Sequence, residues 1–327
     1  MKVVVTDYIE DNLDWEAEKL SASGIDFETC QLKFKPAEEV LQKIADADVI
    51  VVNMVKMDEN IISKLKNCKV IIRHGVGYDN VDVDACTRHG IVFAYQPSYC
   101  MEDVAEHAMM LILACARKLI QGRKILQESS ERGAWDFSEL FPIHRMSGKT
   151  LGVVGTGRIG SVVCRRMKGF GFRVIACDPY LPEEQKTELG VDFVDLETLL
   201  RDSDFVSIHT PLNNETKDII GAEALGVMKP TAYLINTARG PLTDVDALAE
   251  ALKSGKIAGA AIDVYGLEPP PPSFPLLGMD NVILTPHMAW ASEEAGREIR
   301  ERIVDDILRH AKGEAPLYVV NKEVLGE

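Results

Sequence analysis

Short β-branched runs alternate with helical patterns along almost the whole chain. Such alternation is typical of βαβ units, in which helices cover a parallel sheet. A first series of strands is predicted at residues 2–6, 48–52, 70–73 and 91–93, and a second at 150–154, 173–177, 205–208, 233–236, 260–263 and 282–284. The six strands of the second series equal the number in a dinucleotide-binding sheet. We therefore predict an α/β fold with two doubly wound parallel-sheet domains.

Length and composition agree with two globular domains. The 327 residues are 46% hydrophobic and 27% charged, which disfavours wholesale disorder. The net charge of −15, without clustered Lys or Arg, argues against nucleic acid as a partner. The longest apolar run, 108–116, is too short to cross a membrane, and Asp7, Glu10 and Asp11 come too early for a signal peptide. We expect a cytoplasmic protein without a membrane partner.

The seven cysteines form an odd set without a Cys-x-x-Cys pair. The sequence therefore predicts neither a disulfide framework nor a metal site. Most of the cysteines are expected to be small, buried apolar residues.

Helices are predicted between the strands, among them 13–21, 37–45, 58–66, 159–169 and 292–312. A longer helical pattern runs from Glu102 to about Glu128, and its centre is apolar on too many faces for a surface helix. We expect this helix to be buried between domains or against a partner subunit. The following segment, 129–146, carries Trp135, Phe137 and Phe141 among turn residues. It is either a dimer arm or a loop packed on its own domain.

The segment TLGVVGTGRIG places three glycines between a predicted strand and a predicted helix. Gly155 suits the tight turn, Gly157 lets a pyrophosphate approach the backbone, and Gly160 allows close packing of helix on strand. The helix N-terminus then offers free N–H groups to phosphate oxygens. Asp178 follows at the end of the next strand, where a carboxylate accepts ribose hydroxyls and repels the extra phosphate of NADP. The pattern predicts an NAD site.

Three predicted strand ends of the second series carry groups suited to catalysis, namely Arg239, Glu268 and His287. Because the carboxyl ends of parallel strands line one crevice, these side chains are expected to converge. Reduction of a 2-oxo acid needs a hydride, a proton for the carbonyl oxygen and a cation for the carboxylate. His287 would supply the proton, Glu268 would favour its protonated form, and Arg239 would bind the carboxylate.

Several ordered motifs together resemble the D-isomer-specific 2-hydroxyacid dehydrogenase family over nearly the whole chain. They are RHGVGYDNVD (73–82), VAEHAMMLIL (104–113), GTGRIG (155–160), HTPL (209–212), MKPTAYLINTARG (228–240) and TPHMAW (285–290). The resemblance implies a flavodoxin-like substrate domain at 1–98 and 293–327. An NAD-binding Rossmann domain would span 99–292, with the cleft between the two domains. It also implies a homodimer whose dimerisation arm covers about 102–146.

The resemblance assigns catalysis to Arg239, Glu268 and His287. It places the cofactor against Val76, Gly155, Gly157, Arg158, Ile159, Gly160, Asp178, Thr210, Pro211, Thr237, Ala238, Arg239, Asp263, His287, Ala289 and Trp290. Asp263 would hold the nicotinamide carboxamide. The substrate would contact Arg73, Val76, Gly77, Tyr99, Cys100, Arg239 and Trp290. Val76 and Gly77 would bind its carboxylate through backbone N–H groups.

The resemblance leaves the substrate open between glyoxylate or hydroxypyruvate, phosphoglycerate and a larger 2-hydroxy acid. Relatives resembling phosphoglycerate dehydrogenase usually carry an arginine in the segment that here reads VIVVNMVK (49–56), although Arg73 could meet a distal anion. Trp290 and the Ser-Glu-Glu that soon follows resemble the C-terminal-binding-protein-like dehydrogenases. An indole there, with Tyr99 and Cys100, would form an aromatic wall for a larger side chain.

That subgroup also supplies a hypothesis of another class. The chain could be an NAD(H)-gated binding protein of the corepressor type, in which closure over the cofactor sets a docking surface and turnover is slight. The presence of Arg239, Glu268 and His287 together favours the enzyme.

Overall fold

A computed structural model of the chain describes residues 1–326; Glu327, which the predicted substrate domain includes, lies outside them. The chain divides into two compact units. We call Met1–Tyr99 with the chain from Ser292 onward the terminal unit, and Cys100–Ala291 the central unit. No helix of residues 1–326 combines the length and the apolar character needed to cross a membrane.

The terminal unit contains a five-stranded parallel sheet in the order β2-β1-β3-β4-β5. Its strands are β1 (Lys2–Val5), β2 (Asp26–Thr29), β3 (Val49–Val52), β4 (Val70–Arg73) and β5 (Val92–Ala94). This is the flavodoxin-like strand order, as predicted. Strand β2 was not predicted, because an edge strand with polar, partly exposed residues lacks the apolar run that marks the buried strands.

The helices of the terminal unit are α1 (Asp14–Ser21), α2 (Ala37–Ile44), α3 (Glu59–Ile62), α4 (Val83–Arg88) and α12 (Glu293–Ala311). Helix α3 is shorter than the predicted 58–66. The backbone N–H groups of Lys64 and Leu65 bond carbonyls three residues earlier, so the chain leaves the α-helix in tight turns. Asp58 caps α3 by accepting from the Ile61 N–H.

The last part of the chain closes the terminal unit. Asn321 is buried, and its side chain accepts a hydrogen bond from the Phe93 N–H at 2.7 Å and donates to the Ile91 carbonyl at 2.9 Å. On α12, the buried Asp306 accepts from the Gln96 amide at 2.8 Å. Buried hydrogen bonds therefore join the two segments of the chain that make up the terminal unit.

The central unit contains a seven-stranded parallel sheet in the order β12-β11-β10-β9-β6-β7-β8. Its strands are β6 (Thr150–Val154), β7 (Arg173–Cys177), β8 (Asp192–Phe193), β9 (Phe205–Ile208), β10 (Tyr233–Asn236), β11 (Gly259–Ile262) and β12 (Val282–Leu284). Six strands were predicted; the missed β8 is a two-residue edge strand on β7. The strand order reverses between β6 and β9, and in such sheets ligands bind at the carboxyl ends beside the reversal.

The helices of the central unit are α5 (Met101–Ala116), α6 (Leu119–Arg132), α7 (Arg158–Lys168), α8 (Glu183–Leu189), α9 (Leu196–Asp202), α10 (Ala222–Val227) and α11 (Val245–Lys253). The single helix predicted over 102–128 is therefore two helices. Lys118 separates them with a φ of +50°, in the left-handed region that a helix interior cannot contain. Lysine has no preference for this region, so the break could not be predicted from the residue type at position 118.

The apolar face of α5 lies in the core of its own unit. Ala108, Leu111 and Ile112 are fully buried in one cluster with Ile235 of β10 and Ala261 of β11. The expectation that this helix is buried between domains or against a partner was therefore wrong for this face. Within residues 101–146 the exposed large apolar side chains lie mainly after α5, and they are Met110, Leu119, Ile120, Leu126, Trp135, Phe137 and Phe141.

Candidate active site

The turn after β6 brings the three glycines to the start of α7. Gly155 has a φ of +86°, and a Cβ atom on Gly160 would lie 2.1 Å from the Gly155 carbonyl oxygen, so neither position accepts a side chain. Gly157 directly precedes α7, and a Cβ atom placed there would meet nothing within 4 Å. Open space therefore faces the helix N-terminus, as a phosphate site requires.

Asp178 follows β7 and is fixed beside the glycine turn. One carboxylate oxygen accepts from the backbone N–H of Thr156 at 2.8 Å and from its hydroxyl at 3.1 Å. The other accepts from the backbone N–H groups of Tyr180 and Leu181 at 3.1 and 3.2 Å. These four hydrogen bonds fix the Asp178 carboxylate at the end of β7, beside the glycine turn.

The turn after β10 contains a buried hydroxyl without a hydrogen-bond partner among residues 1–326, that of Thr237. The Asn236 side chain shapes this turn, since it accepts from the Ala238 N–H at 3.0 Å and donates to the Arg239 carbonyl at 2.9 Å. An unpaired buried hydroxyl is costly unless a ligand group or water meets it. The glycine turn, the Asp178 charge and this hydroxyl together fit a dinucleotide.

The loops after β10 and β11 touch each other. A Cβ atom on Gly240 would lie 2.2 Å from the carbonyl carbon of Tyr265, so the two backbones can approach only because residue 240 is glycine. This contact brings the loop of Arg239 against the loop of Glu268. Arg239 also donates to the neighbouring Ala238 carbonyl at 2.8 Å.

Asp263, fully buried at the end of β11, organises the loop after β12. Its carboxylate accepts from the backbone N–H of Met288 at 3.0 Å and of Ala289 at 2.9 Å. It also accepts from the Thr285 hydroxyl, while its carbonyl accepts from the His287 N–H at 2.7 Å. Asp263 thus holds the loop on both sides of His287, through the Thr285 side chain before it and the Met288 and Ala289 N–H groups after it.

His287 and Glu268 form a hydrogen-bonded pair. His287 Nδ1 lies 2.8 Å from a Glu268 oxygen, whose second oxygen accepts from the Tyr265 N–H at 3.1 Å. His287 has a φ of +54°, a left-handed conformation that non-glycine residues rarely adopt. Such strain persists only where the surroundings enforce it, as the bonds to Asp263 do here, and it is concentrated at functional sites.

Electrostatics keep Glu268 ionised. Burial alone would raise the pKa of this carboxyl, but the hydrogen bond and charge of His287, the Tyr265 N–H and the charge of Arg239 together lower its pKa below the ordinary value. The charges of His287 and Arg239 therefore both act on Glu268 within the central unit.

Burial, with the nearby carboxylates of Asp263 and Glu268, raises the pKa of Tyr265 to about 12.

The terminal unit carries the predicted carboxylate-binding loop directly after β4. Arg73 donates to the Asn53 side chain at 3.1 Å and to the His74 carbonyl. His74 Nε2 lies 3.2 Å from a Glu10 oxygen. Burial favours the neutral acid, yet the hydrogen bond and charge of His74 lower the pKa of Glu10 to about 2. Val76 lies further along this loop and is partly exposed.

The remaining predicted site residues fall on both units. Tyr99 belongs to the terminal unit, and the buried Cys100 immediately precedes α5 in the central unit. The others lie after strands of the central sheet or at the start of α7, and they are Arg158, Ile159, Thr210, Pro211, Ala289 and Trp290. Gly77 follows Val76 in the terminal unit and is partly exposed.

Sequence reasoning missed three residues that hold this arrangement. Thr285 bonds Asp263, the Tyr265 hydroxyl donates to the Thr285 carbonyl at 2.8 Å, and His107 of α5 lies 3.1 Å from the Thr285 hydroxyl. The signal for His107 is a polar residue within the apolar stretch VAEHAMMLIL. Only the fold shows that this residue meets the loop after β12.

A family model described as D-isomer specific 2-hydroxyacid dehydrogenase, NAD binding domain, matches residues 109–289. A glyoxylate reductase of Korarchaeum cryptofilum is 40% identical over 88% of this chain and 86% of its own length. A D-3-phosphoglycerate dehydrogenase of Methanocaldococcus jannaschii is 44% identical over 87% of this chain, which corresponds to 53% of that relative.

Among solved structures, an NADPH-dependent glyoxylate/hydroxypyruvate reductase of Sinorhizobium meliloti, in complex with NADP and malonate, has a TM-score of 0.85. It is 29% identical, and the match covers 98% of this chain and 97% of that one. Similar structures thus include complexes with NAD as well as with NADP. The strand orders, the glycine turn and these matches agree: the chain belongs to the D-isomer-specific 2-hydroxyacid dehydrogenases, oxidoreductases that act on the CH–OH group of 2-hydroxy acids.

Proposed function

We propose that this protein interconverts a D-2-hydroxy acid and its 2-oxo acid with NAD as hydride carrier, and that Arg239, Glu268 and His287 perform the chemistry. One observation carries the assignment. His287 uses Nδ1 to bond Glu268, and its Nε2 has no hydrogen-bond partner among residues 1–326. A partly exposed imidazole held by a carboxylate on one nitrogen and open on the other suits a general acid and base.

His287 donates the proton that the carbonyl oxygen takes up during reduction, and it accepts that proton in the reverse direction. The Glu268 carboxylate keeps the Nδ1–H tautomer and stabilises the imidazolium. Because the pKa of Glu268 is lowered, this carboxylate stays negative throughout the neutral range.

The Arg239 guanidinium binds the substrate carboxylate and polarises the carbonyl, since its planar N–H groups match two oxygens. We further propose that the backbone N–H groups of Val76 and Gly77 bind the same carboxylate, as the family resemblance implies. The terminal unit would then correspond to the substrate domain, predicted at 1–98 with 293–327, and the central unit to the NAD-binding domain, predicted at 99–292. Tyr99 and Ser292 lie in the terminal unit.

When bound, the nicotinamide supplies the hydride that reaches C2 of the substrate. Residues of the central unit would hold the dinucleotide: the glycine turn the pyrophosphate, Asp178 the adenosine ribose, Thr237 and Ala238 the nicotinamide ring, and Asp263 its carboxamide. We propose NAD over NADP because the Asp178 carboxylate would repel a phosphate on the ribose.

We propose a homodimer formed through α6 and the segment 129–146. Trp135 is 83% exposed and Phe141 60% exposed, although side chains of this size are normally buried. A second subunit would cover them, and sedimentation velocity measures the resulting mass. The cytoplasmic location stays a prediction.

The test is NADH oxidation by the purified protein across a panel of 2-oxo acids. Glyoxylate, hydroxypyruvate and phosphohydroxypyruvate come first, because relatives are named for reactions of glyoxylate, hydroxypyruvate and phosphoglycerate. Larger apolar 2-oxo acids test the aromatic wall proposed from Trp290. We expect turnover with at least one acid, and a kcat about 1,000-fold lower in His287→Asn.

Asparagine is the informative replacement because it tolerates the left-handed conformation at position 287 and keeps a donor for Glu268. The Tm of this variant should match that of the parent protein, and the variant should still bind NADH. Tight NADH binding without turnover of any acid would overturn the proposal and favour the NAD(H)-gated binding protein.

A further inference from the structure

His107 is a partly buried polar residue that the proposed chemistry does not use. It lies on α5, far in sequence from the catalytic loops, and its side chain is 10% exposed. Its Nε2 atom lies 3.1 Å from the Thr285 hydroxyl and 3.6 Å from an Asp263 oxygen. Burial lowers the pKa of His107, while the Asp263 charge opposes that effect.

Counting protons fixes the direction of these bonds. The Asp263 carboxylate only accepts, so the single proton of the Thr285 hydroxyl is donated to it. The Thr285 oxygen must then accept from His107, which places a proton on Nε2. The chain of donation runs from His107 through Thr285 to Asp263, the anion that fixes the main chain around His287.

The backbone that carries His107 is firmly held. The next residue, Ala108, is fully buried, as are Leu111 and Ile112 one turn further along α5. These residues pack with Ile235 and Ala261, which lie in the two strands that precede the loops of Arg239 and Asp263. A side chain on such a helix gives the loop after β12 a fixed point of contact.

We propose that His107 is a positioning residue of the active site, which acts through Thr285 on Asp263 and so on the loop that carries His287. This inference rests on the proposed function, since it takes Asp263 as the group that holds the nicotinamide carboxamide. Loss of the His107 donor leaves the Thr285 hydroxyl held by Asp263 alone, and the Asp263 carboxylate is then less constrained. NADH affinity and the rate of proton transfer should then both decrease.

The experiment compares His107→Leu with His107→Gln in the full chain. Leucine fills the space without a donor, whereas the terminal amide of glutamine reaches the position of the imidazole Nε2–H. We expect His107→Leu to weaken NADH binding about tenfold and to lower kcat about tenfold, with the 2-oxo acid KM nearly unchanged. Glutamine should restore most of both. NADH affinity is measured by fluorescence titration without substrate.

His310→Leu is the matched control, because His310 is a partly buried histidine on α12 whose pKa is also lowered by burial. It should change Tm without changing NADH affinity or kcat. If His107 had a purely structural role, His107→Leu would also change Tm without changing NADH affinity or kcat, and that result would overturn the proposal. The proposal would also be overturned if His107→Gln bound NADH no better than His107→Leu.

A double-mutant cycle with Thr285→Val separates action through Thr285 from direct action. Once the Thr285 hydroxyl is absent, His107→Leu should produce no further loss of NADH affinity. Full additivity would contradict the proposed route. Since NADH binding needs no turnover, a parent protein that binds NADH but reduces no acid would count against the proposed function and leave this test intact.

Discussion

The His74–Glu10 pair of the terminal unit and the His287–Glu268 pair of the central unit differ in their exposure and in the ring nitrogen that meets the carboxylate. The terminal unit has a further, more exposed pair, His89–Glu59. In the terminal unit the side chains of His74 and Glu10 are 13% and 14% exposed, and His74 contacts the carboxylate through Nε2. In the central unit His287 and Glu268 are 36% and 21% exposed, and His287 bonds through Nδ1. The pair alone is therefore no sign of catalysis.

What distinguishes the second pair is the arrangement around it. His287 has a left-handed backbone held by Asp263, and the charge of Arg239 reaches its partner Glu268. The first pair links the loop after β1 to the loop after β4 and lowers the pKa of Glu10 to about 2, as a buried structural contact does. Access to one ring nitrogen, with strain at the same residue, separates an active group from a stabilising one.

The largest effect that would sharpen this comparison is expected in Glu268→Gln. The neutral amide cannot stabilise an imidazolium at His287, so kcat should fall about 100-fold while NADH affinity changes little. Steady-state kinetics and NADH titration measure the two quantities. An unchanged kcat would show that the two pairs do not differ in the way described.

Glu10→Gln should have the opposite signature. Removing the buried charge beside His74 should cost about 2 kcal/mol and lower Tm by about 5 °C, whereas kcat should stay within about threefold of the parent value. Thermal unfolding and NADH oxidation of the same preparation test both statements. A large loss of kcat at normal Tm would place Glu10 in the catalytic machinery instead.

The smallest effect is a pH dependence. Because the pKa of Glu10 falls from an ordinary 4.5 to about 2 in the folded protein, its contribution to stability is complete above pH 4.5 and is lost as the pH falls towards 2. The Tm difference between the parent protein and Glu10→Gln should therefore shrink between these values. A difference that grows on acidification would contradict the assigned direction.

Local patterns made part of the site predictable. The glycine turn at 155–160 and Asp178 depend on neighbours close in sequence, so residue type and spacing were sufficient to identify them. The catalytic trio was found because each member follows a recognisable strand. The family resemblance then supplied the roles of residues such as Val76 and Gly77, which physical reasoning from the sequence alone left as a glycine turn.

The misses have physical causes. Strands β2 and β8 are polar edge strands that need no apolar run, and the break at Lys118 uses a conformation that lysine does not signal. The bond between His107 and Thr285 joins residues 178 positions apart. Such a contact depends on how helix and sheet pack, and no periodicity in either segment records it.

The hydrogen bonds of Asn321 to Phe93 and Ile91 also have a consequence for folding during synthesis. Residues 100–291 emerge from the ribosome before α12 and Asn321, so the central unit can fold while its neighbour still lacks the segments that close it. Until Asn321 has emerged, the Phe93 N–H of β5 lacks its hydrogen-bond acceptor. Nascent chains stalled before residue 292 should therefore expose apolar surface of the terminal unit to chaperones, even when the dinucleotide fold is already complete.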